Sequence, residues 1–305
     1  MHRSRNYWRN LALFTLVVTL LAFGGMTVWL AYSRALVLVH PTRHHAERTP
    51  AMVGLVGWET VTFYAPDGVR LEGWFVPPQA EHRAVIVFVH GLATNRAHLL
   101  DEAALLARHG YGALLFDLRN HGASEGTFTT FGYFEVEDVR GAVEYLSARA
   151  DVDSQRIALM GHSMGAGTVL LAGARIAKVR AVIAQSAYAS IEDNIAEGVE
   201  GLTGLPAFPF APLVIWFGER AAGVSIRQVR PIDEIANISP RAVMLIHGQD
   251  DPLIPVRNAQ RLYQAAREPK ELYIIPAVGH VGLLQANPLE YERRVTEFLR
   301  RALLP

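Results

Sequence analysis

From Trp58 to the end of the chain, short apolar runs rich in β-branched residues alternate with longer stretches of helical period, and this alternation limits the fold more than any other feature. AVIVFVH (84–90), YGALLFDLR (111–119), RIALMGHS (156–163), VRAVIAQSA (179–187), AVMLIHG (242–248) and KELYIIPA (270–277) read as strands covered on both faces, being apolar almost throughout. Between them lie helical segments at 95–110, 132–150, 165–177, 255–266 and 289–304. Parallel neighbours need long crossovers, so the pattern predicts an α/β fold: a mostly parallel sheet with helices on both faces. WETVTFYA (58–65) and VRLEGWFVPP (69–78), joined at Asp67-Gly68, predict an antiparallel hairpin at one edge. The interval 188–238 breaks the alternation with Pro-rich, aromatic sequence, too long for a bare loop, and predicts a small helical insertion over the sheet.

Upstream of the alternation, residues 10–33 contain no charge. Twenty-four residues at about 1.5 Å each make roughly 36 Å of helix, enough to cross a hydrocarbon core of about 30 Å. Tyr7 and Trp8 stand at one end of the run, Trp29 and Tyr32 at the other, where aromatic rings anchor at the interface. The expectation is a tail and transmembrane helix over 1–33, a juxtamembrane connector over 34–50 and the α/β domain over 51–305, with the lipid bilayer as partner through residues 10–33. A cleaved signal peptide is the rival, with Ala31-Tyr32-Ser33 as a small-residue cleavage site, although its apolar region would normally be shorter. Arg3, Arg5 and Arg9 form a denser cluster than Arg34, Arg43 and Arg48, which favours an inside N-terminus and an extracytoplasmic domain.

Composition excludes several functions. Lys plus Arg and Asp plus Glu are 29 each, so no basic field exists to hold nucleic acid. Cysteine is absent, which removes disulfides, thiolate metal sites and a Cys nucleophile. His44-His45 has no third ligand near it in sequence and reads as solvated loop. No metal or other cofactor is implied.

Gly161-His162-Ser163-Met164-Gly165 is a G-x-S-x-G between a predicted strand and a predicted helix. That spacing suits a serine on a turn so sharp that side chains two residues before and after would collide. From about residue 53 onward the chain resembles the α/β-hydrolase superfamily, and within it membrane-tethered serine hydrolases of the prolyl-oligopeptidase-like and serine-aminopeptidase-like type. The resemblance implies a triad in the order Ser, acid, His, each on a loop at the C-terminal edge of the sheet. Ser163 is then the nucleophile. Asp251, in HGQDDPLIP, is the acid, with Asp250 the adjacent alternative, and His280, in VGHV after the last strand, is the general base. One backbone donor of the oxyanion hole is expected to be Met164, at the start of the helix after the serine turn, and similarity of His90-Gly91-Leu92 to the family's H-G-x motif makes Leu92 the other. The segment DLRNHGAS (117–124) resembles a family motif whose Asp117 and Arg119 order the loop, and His90, His162 and His247 are expected in structural roles. Glu135, Glu137 and Asp138 are expected on a solvated helix face.

Aromatic residues of the insertion, Phe208, Phe210 and Trp216 among them, are candidate walls of an apolar pocket for a small-molecule or lipid-like acyl substrate, or simply pack on the core. The expected activity is cleavage of an ester, thioester or amide through an acyl-serine intermediate. A peptidase or an acyltransferase is the alternative, and a non-catalytic membrane-tethered binding module is the reading from a different class.

Overall fold

The computed structural model describes residues 2–304. In chain order the elements are α1 (His2–Val39), β1 (Glu59–Tyr64), β2 (Arg70–Val76), β3 (Val85–Val89), α2 (Leu100–Ala107), β4 (Gly112–Phe116), α3 (Glu135–Ser147), β5 (Ile157–His162), α4 (Met164–Arg175), β6 (Val179–Gln185), α5 (Ile191–Thr203), α6 (Ala207–Ala222), α7 (Pro231–Glu234), β7 (Ala242–Gly248), α8 (Arg257–Ala265), β8 (Lys270–Ile275), α9 (Leu283–Ala286) and α10 (Pro288–Leu303). Eight strands form one sheet in the order β1-β2-β4-β3-β5-β6-β7-β8. The β1–β2 and β2–β4 pairs are antiparallel, and every pair from β4 through β3 to β8 is parallel.

The strands are buried on both faces because each feeds two cores. Val85, Val87 and Val89 of β3 join Leu114 and Phe116 of β4 in one cluster with Val143 of α3 and Val169 of α4. The intervening Ile86, Phe88, Ala113 and Leu115 join the other, with Leu105 of α2 and Val295 and Leu299 of α10. This two-sided burial is why the strands read as continuous apolar runs rather than alternating ones. The chain leaves β3 toward β4 on one side and reaches β5 on the other, so a crevice opens at the carboxyl ends of β3 and β5, the usual ligand site of an open parallel sheet.

Two helix boundaries differ from the sequence reading. The segment from residue 95 begins as turns, and α2 starts only at Leu100, because Asn95 and Arg96 are engaged elsewhere: Asn95 Oδ1 accepts from the Ala97 amide and Arg96 N and Nε both donate to Asp117. At the N-terminus α1 continues through residues 34–39, which the sequence assigned to the connector. Thr27, Ala31, Ala35 and Val39, spaced by four, are buried on α1, whereas the residues from Asn6 to Met26 are exposed. Ala31 and Ala35 pack with Val214 of α6, and Tyr32 meets the Phe217 ring edge-on at 5.3 Å between centroids. Small residues at four-residue spacing allow such close helix approach. The end of α1 is also fixed, since the Val39 carbonyl accepts from Thr129 N (2.8 Å) and Asn120 Nδ2 (3.2 Å). The free length of α1 has a mean hydropathy of 2.2 over its most apolar window, enough by length and composition to cross a membrane. The side chains of Arg3 and Arg5, used for the orientation, lie outside the described residues.

Candidate active site

Ser163 sits between the last residue of β5 and the first of α4, with φ +56° and ψ −118°. A positive φ is costly for a residue with a Cβ, and packing enforces it here. A Cβ on Gly161 would stand 2.3 Å from the Gly165 carbonyl oxygen, and one on Gly165 2.1 Å from that of Val89, so only glycine fits on either side of the turn. The turn is held to the sheet by Ser163 N, which donates to the Gln185 carbonyl at 2.9 Å.

His280, on the loop after β8, brings Nε2 to 2.9 Å from Ser163 Oγ, and its Nδ1 lies 2.7 Å from Asp251 Oδ2. Asp251 follows β7, and its other oxygen, Oδ1, accepts from the amides of Leu253 and Ile254, both at 2.9 Å. Burial pushes this carboxyl up, but hydrogen bonds from His247 and His280 outweigh it and hold Asp251 well below the usual carboxylate range. The neighbouring Asp250 is exposed, and its amide donates to Val278 O. Three chain-distant residues thus form one hydrogen-bonded relay at the carboxyl edge of the sheet.

Two further histidines brace the relay. His162 Nε2 donates to the His280 carbonyl at 2.7 Å, and Ser186 Oγ donates to the same oxygen at 3.2 Å, fixing the backbone that carries the imidazole. His247 Nε2 donates to the Ile254 carbonyl at 2.8 Å and lies 3.4 Å from Asp251 Oδ2. Burial, reinforced by His98 and His280, lowers His162 to about 3; burial and then His280 lower His98 to about 4. Both are therefore neutral near pH 7, and neither places a positive charge beside His280.

The loop after β3 carries the other half of the site. A Cβ on Gly91 would lie 3.4 Å from Ser163 Cβ, so the loop runs against the nucleophile. Leu92 and Met164 both line the cavity containing Ser163, and among the described residues neither backbone amide has a hydrogen-bond acceptor. Their surroundings hold the loop still. His90 Nδ1 donates to Gly91 O (2.7 Å) while its Nε2 accepts from Leu118 N (3.0 Å). His121 Nδ1 donates to Arg119 O (2.9 Å) and its Nε2 accepts from Ala93 N (3.2 Å). Each bond pattern selects one tautomer, Nδ1–H. Beneath them Arg119 forms ion pairs with Asp138 (2.6 Å) and Asp67 (2.8 Å), and Ser124 Oγ donates to Asp117 O (2.6 Å). This corrects the expectation for the acidic helix face. Asp138 and Glu135 are fully buried, and Glu135 accepts from Thr130 N, Thr130 Oγ1 and Gly132 N; only Glu137 is partly exposed.

Above Ser163 lies a cavity of about 670 Å³. Its walls come from α5 and α6 (Ile191, Ile195, Val199, Phe210, Val214) and from α1 (Leu30, Ala31, Arg34, Leu38). Of the three aromatic residues singled out in the insertion, only Phe210 lines it; Phe208 is 78 % exposed, Trp216 is 46 % exposed, and neither is on its wall. Phe208 departs from helical geometry at the start of α6, with ψ 131°, which turns it off the inner face. The wall contributed by α1 has no sequence signal, because a helix apolar all round does not mark which stripe meets protein and which meets lipid. Among the described residues no group of His, Asp and Glu is arranged to hold a metal ion.

Residues 80–223 match the family described as serine aminopeptidase, S33. The chain is 32 % identical over 245 residues to the uncharacterised protein YqkD of Bacillus subtilis, covering 79 % of each chain. It is 27 % identical over 267 residues to the alpha/beta hydrolase domain-containing protein WAV2 of Arabidopsis thaliana, covering 83 % of this chain and 82 % of that one. Among solved structures it resembles the esterase Pf2001 of Pyrococcus furiosus, with a TM-score of 0.74 and 27 % identity over 87 % of this chain and 98 % of the esterase.

Proposed function

The chain belongs to the α/β-hydrolase superfamily, and we propose that it is a membrane-anchored serine hydrolase that cleaves an ester, thioester or amide through an acyl intermediate on Ser163. The observation that carries this reading is the unbroken pair of hydrogen bonds from Asp251 through His280 to Ser163 at the floor of an apolar cavity. In the proposed reaction Ser163 Oγ attacks the substrate carbonyl carbon as its proton passes to His280 Nε2. Asp251 holds Nδ1–H and stabilises the imidazolium. The carbonyl oxygen takes up negative charge between the amides of Leu92 and Met164, which need no reorganisation to receive it. Collapse of the tetrahedral species expels the leaving group, protonated by His280. Water then attacks the acyl-serine with His280 as base, releasing the acid and restoring the serine. No cofactor enters the scheme.

Ester cleavage is favoured over aminopeptidase action. An aminopeptidase must recognise the substrate's cationic amine, and no Asp or Glu is among the described residues lining the cavity; its one charged residue is Arg34. The similarity to an esterase agrees with this. Acyl transfer to an alcohol shares the same intermediate and is separated by product analysis with a competing acceptor. Retention of α1 as an anchor is supported by its packing, since cleavage near residues 31–33 would remove Ala31 from the α1–α6 contact. With the N-terminus inside, the domain would lie outside the cytoplasm.

The test is turnover of p-nitrophenyl esters against aminoacyl p-nitroanilides by the full chain in detergent. The expected result is ester hydrolysis, lost in Ser163→Ala, with anilides cleaved at least about a hundredfold more slowly. Faster anilide cleavage would transfer the reading to a peptidase.

A further inference from the structure

The membrane helix is part of the catalytic cavity. Leu30, Ala31, Arg34 and Leu38 of α1 share one continuous cavity with Ser163, His280 and the oxyanion-loop residue Leu92. These are the turns at which the charge-free run ends: Trp29 and Tyr32 are exposed beside them and Arg34 is the first charge after residue 9. A helix spanning a bilayer with that sequence sets residues 29–34 at the level where acyl chains give way to head groups. With α1 as the anchor proposed above, the cavity would meet the bilayer at the depth of lipid ester linkages. Exposed Leu205 and Leu253 also line it, and exposed Val281 adjoins His280, so apolar surface surrounds the site on the protein side as well.

Charge narrows the substrate further. Among the described residues of the lining, Arg34 is the only Asp, Glu, Lys or Arg; it is exposed, and no Asp or Glu among the described residues pairs with it. The nearby His98 and His162 are neutral. A guanidinium alone at the mouth of an apolar cavity suits a planar or tetrahedral anion, which it binds through paired N–H donors.

Resting on the serine-hydrolase reading above, we propose that the substrate is a long-chain acyl ester with an anionic head group, admitted from the bilayer along α1, its chain lying against α5, α6 and Leu30 and its anion against Arg34. The reaction is ordinary ester hydrolysis: water cleaves the acyl–oxygen bond through Ser163, releasing a fatty acid and the head-group alcohol.

The experiment uses the full chain in vesicles of ether-linked phosphatidylcholine, which offers no ester to cleave, and measures fatty acid release. Two probes differ only in the phosphate: monopalmitoylglycerol and palmitoyl lysophosphatidate. The expected kcat/KM favours lysophosphatidate by about tenfold, and Arg34→Gln removes most of that preference through KM, as for loss of a charge-assisted contact. Leu30→Trp, at an exposed position, is expected to depress palmitoyl over butyryl ester turnover by roughly tenfold by narrowing the α1 wall. No preference for the anionic probe, or a preference untouched by Arg34→Gln, overturns the head-group assignment. An acyl-length profile unchanged in Leu30→Trp overturns the role of α1. Hydrolysis of p-nitrophenyl butyrate that disappears in Ser163→Ala separates these failures from failure of the hydrolase reading itself, in which no ester is cleaved.

Discussion

Asp251 meets four different neighbours with two oxygens. Oδ1 is occupied by the Leu253 and Ile254 amides, which leaves Oδ2 for His280 Nδ1 and, more distantly, His247 Nε2. An asparagine there keeps the shape but presents an NH2 to a ring nitrogen that must itself donate, so it favours the wrong imidazole tautomer. Asp251→Asn should lower kcat for a p-nitrophenyl ester by about 10³- to 10⁴-fold with little change in KM. A loss under tenfold would remove Asp251 from the relay. The turn at Ser163 was readable from a local backbone demand, the two glycines around it, whereas Asp251 and His280 were picked out by resemblance to the family's acid and histidine loops, and the fold brings all three within hydrogen-bond reach. Phe208 and Trp216 were not distinguishable from Phe210, since aromatic character says nothing of the helix face on which a ring falls once a break at Phe208 resets the phase.

Helix α1 does two things that one sequence pattern cannot separate. Its first part is apolar and exposed, and its last turns are apolar toward α6, so the hydropathy run carries no mark of the change. The alternating strands, in contrast, were legible because two-sided burial leaves a continuous apolar signature of strand length. Glu135 and Asp138 were misread for a related reason. Their partners, Thr130 and Arg119, come from the loop after β4, and a helix-face reading sees only neighbours three and four residues away. The packing of α1 on α6 predicts a specific sensitivity. Ala35 is 1 % exposed in that contact, and a larger side chain must push the helices apart at a cost of about 1–3 kcal/mol. Ala35→Leu should lower the thermal midpoint of the full chain in detergent by roughly 2–4 °C per kcal/mol lost. An unchanged midpoint would mean that α1 rests on α6 without being bound by it.

At the scale of the whole molecule, neutral buried histidines set the acid limit of stability. Burial, then His121, holds His90 well below its usual value of 6.5, and His98 and His162 lie at about 4 and about 3. As the pH falls below about 6.5 the unfolded chain protonates these groups and the fold does not, so the unfolded state binds more protons and stability declines. Glu102 acts in the opposite sense. Burial raises it from 4.5 to about 7, so between those values the fold retains a proton that the unfolded chain has lost. Asp138, which burial raises to about 7 against the opposing pull of Arg119, acts as Glu102 does, so three histidines against two carboxyls leave a net loss of about 1 to 2 kcal/mol per pH unit near pH 5. Asp251, held low in the fold, extends the decline below about pH 4. Urea unfolding of the full chain should therefore show a lower midpoint at pH 5 than at pH 7, and an equal or higher midpoint would show that these histidines are protonated in the fold.

All of these expectations depend on Ser163 being an activated nucleophile open to the cavity. Incubating the full chain with a fluorophosphonate and mapping the adduct by mass spectrometry tests that directly. The account predicts one modification, on Ser163, absent from Ser163→Ala and strongly slowed in His280→Ala. An unlabelled wild-type chain, or an adduct that persists in Ser163→Ala, would contradict it.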